Sequence, residues 1–197
     1  MLPTQKHLMK KNVIFIAFLG VMAAATLGIQ SCSKVASLLS YNLALQTVDV
    51  VLHVPPVADT LDHTAFATAA VAFNVDSFIK ANTGNTLSAS NISSAKVVKC
   101  QLAIQNPTTD DNFADFSKFD FAFSSDNVTA GTVIATVTDN PDSYADTYTM
   151  PVDSTKELSG YLHGTQFIYT LGGKLRRSTT DTVNVLVHLQ LNVKVHG

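Results

Sequence analysis

The chain has 197 residues, 46% of them hydrophobic and 14% charged, with no Trp and a formal net charge of −2. That charged fraction is near half the ~25% usual in globular domains, and with abundant Thr, Ser, Asn and Val it is typical of secreted all-β proteins. The chain is too apolar for a disordered polymer, lacks the Gly or Pro bias of a fibre, and is long enough for one domain plus a short extension.

In chain order, residues 1–31 come first. A basic start (Lys6, Lys10, Lys11) precedes an uncharged apolar run of 17 residues from Val13 to Ile29, and small Ser31 stands before Cys32. Basic, apolar and small regions in that order make a secretory signal peptide. Seventeen residues is the lower limit for a membrane-spanning helix, which leaves an uncleaved anchor as the competing reading.

Ile29-Gln30-Ser31-Cys32 resembles the lipobox of bacterial lipoproteins, with Gln30 departing from the commoner small residue. Ser-Cys-Ser-Lys after this apolar run looks like lipoproteins of the Bacteroidota. The resemblance implies that Cys32 is acylated and becomes the mature N-terminus. Several acyl chains, at about 0.8 kcal/mol per buried CH₂, hold a protein stably on a bilayer where one does not. Surface-displayed members of that group carry an acidic cluster after the cysteine; Ser33-Lys34-Val35-Ala36-Ser37 has none. The expectation is therefore an outer-membrane anchor facing the periplasm rather than the cell surface. Residues 32–41 read as lipidated cysteine and tether, and 42–197 as the single folded domain.

Removal of residues 1–31 takes three of the 13 Lys and Arg and no acidic residue, leaving 10 against 15. A net charge of about −5 with no basic-aromatic interleaving disfavours nucleic acid as a partner. The membrane, an envelope protein or a glycan are the partners left.

From residue 42 onward, period-2 alternation is the strand signal. Leu43 and Leu45 set one phase, and Val48, Val50, Leu52 and Val54 another, so a β-bulge is expected near Gln46-Thr47. Val71, Phe73 and Val75 form a further set, and Val98, Cys100, Leu102 and Ile104 share one face. Phe119, Phe121 and Phe123 follow, then Val133, Ala135 and Val137, and then Phe167, Tyr169 and Leu171. The last segment is the clearest: Val183, Val185, Val187, Leu189, Leu191, Val193 and Val195 oppose a polar face broken only by Leu186.

Turn signals separate these segments, among them Pro55-Pro56, Asn106-Pro107 and Gly172-Gly173. Asp76 is placed to cap a helical turn over Ser77–Ala81. Ser154-Thr155-Lys156-Glu157 is a capping-box pattern before Leu158, Tyr161 and Leu162, and Phe113 and Phe116 suit one more turn. About seven strands with one or two helical turns predict an all-β fold, an antiparallel two-sheet β-sandwich, immunoglobulin-like or related.

Chemistry is sparse. With Cys32 committed to lipid, Cys100 stands alone on an inward face and behaves as a small hydrophobe. The histidines after residue 31 (His53, His63, His163, His188 and His196) show no metal-ligand spacing, so no metal site or cofactor is assigned. Asp110-Asp111-Asn112 with Asp115 is acidic enough to raise calcium, but lacks the glycine turn and distal glutamate of an EF-hand. Glu157 is the single glutamate, there is no GxSxG, and Ser93-Ser94-Ala95-Lys96 lacks the partners of an SxxK hydrolase, so no catalytic residue is assigned.

Asp59-Thr60-Leu61, Asp153-Ser154-Thr155 and Asp181-Thr182-Val183 are similar to the Asp-Ser/Thr-apolar O-glycosylation sites of Bacteroidota envelope proteins. Thr60, in a loop beside Pro55-Pro56, is the candidate. The expected function is a non-catalytic, lipid-anchored cell-envelope domain with a structural or protein-interaction role. The alternative is a surface glycan-binding or adhesive lipoprotein, for which Tyr144, Tyr148 and Tyr161 would have to form an exposed cluster.

Overall fold

The computed structural model describes residues 39–197, apart from 48 and 59, and its compact unit runs from Ser40 to His196. The expected signal peptide and Cys32 lie outside the described residues. Nine strands are described: β1 (Ser40–Gln46), β2 (Val50–Val54), β3 (Thr64–Ala72), β4 (Ile92–Gln105), β5 (Phe116–Ser125), β6 (Thr132–Val137), β7 (Thr147–Thr149), β8 (Gln166–Leu175) and β9 (Val183–His196). One α-helix, α1 (Val75–Asn82), and 3₁₀ turns at Ala89–Asn91, Phe113–Asp115 and Ser159–His163 fill connections.

The strands form two antiparallel sheets. In the first, which we call the long sheet, β9 is flanked on one side by β1 and β2 in succession and on the other by β4, with β7 beyond. The second has the order β3-β8-β5-β6. Partners are nested: β1 and β2 with β9, β3 with β8, β4 with β7, β5 with β6. The two-sheet sandwich expected from the alternation is present. Its nested order is that of a jelly roll whose first strand is broken in two, not that of an immunoglobulin domain.

The central position of β9 follows from its sequence. Its seven inward residues, Val183 to Val195, are each at most 3% exposed. β-branched side chains suit this pleated, half-buried surface. At ~3.4 Å per residue the strand is roughly 45 Å long and has partners along both edges. The phase change between β1 and β2 is a true irregularity: pairing passes from Gln46↔Gln190 to Val50↔Val187, one residue more on the edge side than on β9. There Thr47 turns inward and its backbone N–H and hydroxyl both donate to the Leu189 carbonyl, at 3.0 and 3.2 Å.

Several local expectations are corrected. β1 begins at Ser40, two residues before the expected start of the folded domain. The Val71 strand begins earlier, at Thr64, and ends at Ala72, while Val75 opens α1 rather than extending it. The cap of α1 is Asn74, whose side chain accepts from the Ser77 amide at 2.8 Å. Asp76 instead pairs with Lys80 at 2.7 Å and accepts from the Ala89 amide. Gly172 and Gly173 are not a turn but lie buried inside β8. Gly173 has φ +152°, and a Cβ there would sit 2.3 Å from the Lys118 carbonyl oxygen and 2.6 Å from Phe119 Cα. Only glycine fits so close an approach.

A second bulge, in β4 between Val97 and Lys99, separates residues the alternation had put together. Cys100 is fully buried, with its thiol pushed up to about 12 by desolvation and its Sγ 3.9 Å from Met150 Sδ. Val98 is 48% exposed on the opposite face.

The shared core has a different texture on each sheet. The long sheet contributes aliphatic side chains and contains no phenylalanine, whereas Phe66, Phe119, Phe121, Phe123 and Phe167 come from the second sheet. Rings meet edge-on or stacked at 5–6 Å between centroids, as in Phe113–Phe119 at 5.7 Å and Phe123–Phe167 at 5.2 Å.

Candidate functional site

Three surface features hold polar side chains close together. The first is a cleft of about 500 Å³ lined by Thr109, Asp110, Asp115, Asp142, Tyr144 and Arg177. Asn112 caps the Phe113–Asp115 turn through its carbonyl oxygen, which accepts from the Ala114 amide at 2.9 Å, and Asp115 accepts from the Asn112 amide at 3.2 Å. Buried Asp115 also meets Arg177 at 3.3 Å, and Arg177 donates to Asp142. The Arg177 hydrogen bond holds the Asp142 carboxyl below the usual carboxylate range, and Asp142 and Asp115 raise the guanidinium in return. Arg176 donates to the Ala114 and Asn140 carbonyls, the latter at 2.6 Å.

The acidic segment singled out for calcium is thus folded around an arginine. The oxygens of Asn112 and Asp115 are occupied by amides and a guanidinium, and no group of three or more His, Cys, Asp or Glu able to hold a metal occurs among the described residues. This pairing spans more than sixty residues of sequence and has no local signature.

The second feature is a more apolar cleft of about 520 Å³ between Phe73 at the end of β3 and the His163–Thr165 turn. Asp126 closes its neighbourhood: its carboxylate accepts from the Thr165 hydroxyl at 2.6 Å and from the Thr165 and Gln166 amides, which lower its pKa.

The third is the outer face of the long sheet. Register places Lys99 opposite Gln190, Lys96 opposite Asn192, and Ser94 and Asn42 on either side of Lys194. Between the two bulges a shallow basin of about 250 Å³ is lined by Gln46, Lys99, Gln101, His188 and Gln190. His188 Nδ1 lies 2.6 Å from Asp49 Oδ1 at its rim. Bulges re-aim side chains and recur beside functional sites. Here they leave Lys96 and Lys99 on the same face, although their odd spacing would otherwise set them on opposite ones.

The remaining candidates do not converge. Thr60 is half-exposed in the loop before β3, while Ser154 and Thr182 are exposed. His53 pairs with Asn184 at 2.6 Å and His63 with Asp120. Ser94 and the Ala95 amide donate to Glu157 at 2.7 and 2.6 Å, which ties the Ser159–His163 turn to β4. Burial pushes the Glu157 carboxyl up, but hydrogen bonds from Ala95, Ser94 and Ser159 bring it below its ordinary value. Of the three tyrosines, only Tyr144 is exposed; Tyr148 lies against Phe119 at 5.1 Å, and Tyr161 against Phe123 at 5.8 Å. No exposed tyrosine cluster forms. No helix of the described residues is long and apolar enough to cross a membrane.

No family model matches the chain, and no curated protein is similar to it. Among solved structures, a chain from Desmodium yellow mottle tymovirus is similar at 12% sequence identity over 80% of this chain and 90% of that chain, with a TM-score of 0.28.

Proposed function

We propose that this is a non-catalytic, lipid-anchored cell-envelope domain that works through contact with another envelope component. The observation that carries the reading is the polar outer face of the long sheet, where lysines and primary amides stand in register across β1, β4 and β9. An open polar sheet face suits docking better than turnover, which needs an enclosed pocket with converging acid, base or nucleophile. The lipobox-like Ile29–Cys32 supplies the anchor, and β1 begins eight residues after Cys32. At ~3.3 Å per residue such a tether reaches at most about 26 Å, so the sandwich stays close to its bilayer.

Metabolic labelling with radioactive palmitate, paired with protease shaving of intact cells, tests the proposal. The expected result is a labelled, membrane-bound wild type, protected until the outer membrane is opened, and an unlabelled Cys32→Ala variant released from membranes. A Cys32→Ala protein that stays in the membrane fraction sinks the lipid anchor. Mass spectrometry of the peptide carrying Thr60 checks the glycosylation candidate in the same preparation.

A further inference from the structure

We infer that the outer face of the long sheet binds an anionic polysaccharide, with Lys194, Lys96 and Lys99 holding its acidic groups. The inference rests on reading this face as the contact surface and not on the anchor.

Three observations carry it. First, the lysines form a row. Lys194, Lys96 and Lys99 stand level with β9 positions 194, 192 and 190, so successive rungs are about 7 Å apart. Second, the row is electrostatically open. All three lysines are exposed, and Lys80 is the lysine of the described residues that takes part in an ion pair. Lys96, Lys99 and Lys194 stand opposite neutral side chains and have no ion-pair partner among the described residues, and such a local row of positive charge is complementary to a polyanion of matching extension. Third, primary amides flank the lysines: Gln46 and Gln190 level with Lys99, Gln101 one rung beyond it, and Asn192 beside Lys96.

These amides decide the class of ligand. A primary amide offers a donor and an acceptor in one plane and suits vicinal hydroxyls, while an ammonium suits a carboxylate or sulfate. Hydroxyl-rich repeats with one acid group at intervals of several ångströms need both. No aromatic residue lies on the lysine-bearing stretch, so base stacking of single-stranded nucleic acid has no platform there. The second sheet offers the contrast: its outer face is built of Thr68, Ala70, Ala122, Thr170 and Ile168, with Lys118 and Lys174 paired at one end.

The test is calorimetric titration of the purified full-length chain, in nonionic detergent, with polygalacturonate as the probe. Neutral dextran and vesicles rich in an anionic phospholipid are the comparators. The expected result is binding to polygalacturonate that weakens with added salt and is lost about tenfold or more in a Lys96→Gln, Lys99→Gln, Lys194→Gln triple variant. A Lys118→Gln, Lys174→Gln variant binds like wild type, and both variants keep the wild-type thermal midpoint. Undiminished binding by the triple variant overturns the assignment, as does equal binding of dextran or a preference for the vesicles. Absence of polygalacturonate binding together with a protein crosslinked through this face also overturns it, while leaving the contact-surface reading intact.

Discussion

The two sheets of this sandwich divide their labour in opposite ways. The long sheet is aliphatic inside and carries lysines and amides outside; the second is aromatic inside and carries Thr, Ala and Ile side chains outside, with Lys118 and Lys174 at one end. Regular Val and Leu alternation along β9 fixes register over its whole length, because a slip by one residue would expose an entire row. The rings of the second sheet fill the remaining space with fewer residues and depend on one another's placement. Register is specified on one side of the core and volume on the other.

The largest effect expected from this contrast is in the core. Phe121→Ala should cost about 3–5 kcal/mol and Leu191→Ala about 2–5, with the aromatic cavity the harder to collapse. Denaturant unfolding of the two variants checks this, and a larger loss at Leu191 would break the comparison. Next comes Gly173→Ala, where an added Cβ would strike the Lys118 and Phe119 backbone and force β8 away from β5. A loss of about 3 kcal/mol is expected, measured as a lowered thermal midpoint. Arg176→Ala, which leaves the Asn140 carbonyl without its Arg176 donor and the Ala114 carbonyl with only the longer 3.4 Å bond from Arg177, should cost about 1–3 kcal/mol.

Acid sharpens the picture further. The Asp142 carboxyl is held below its ordinary value by Arg177, so its contribution is complete above the unfolded value of about 3.9 and is lost as pH falls through the folded one. Asp142→Asn should lower the thermal midpoint slightly at neutral pH and converge with wild type in acid, which flattens the acid limb of a plot of thermal midpoint against pH. Smallest of all, the triple lysine variant of the long sheet's outer face should change stability by no more than about 0.5 kcal/mol. A larger change would mean that the row serves the fold rather than a ligand.

What could be read in advance follows the same division. β9 was legible because its pattern is long and uninterrupted, and the bulge after Gln46 because two phases meet there. β7 was not, since Thr147-Tyr148-Thr149 has too few residues to show a period. β3 was misplaced because its alanines carry little alternation in size and only Val71 and Phe73 stood out. The buried glycines of β8 mimic a turn in sequence and are a close packing of backbones in space. Of the candidate site, the common face of the β4 lysines has no signal in the sequence. It depends on a bulge between Val97 and Lys99 and on Lys194, nearly a hundred residues away. The Arg177 pairing with Asp115 and Asp142 was hidden for the same reason of distance along the chain.

The nesting of partners has a consequence for how the chain is made. The strand at the centre of the long sheet follows every other described strand in the chain, and it holds both the first strands and β4. Until Val183–His196 emerges, β1, β2 and β4 have no common neighbour, and the sheet cannot close. Co-translational folding of the long sheet therefore waits on β9, while β3, β8, β5 and β6 can pair before it.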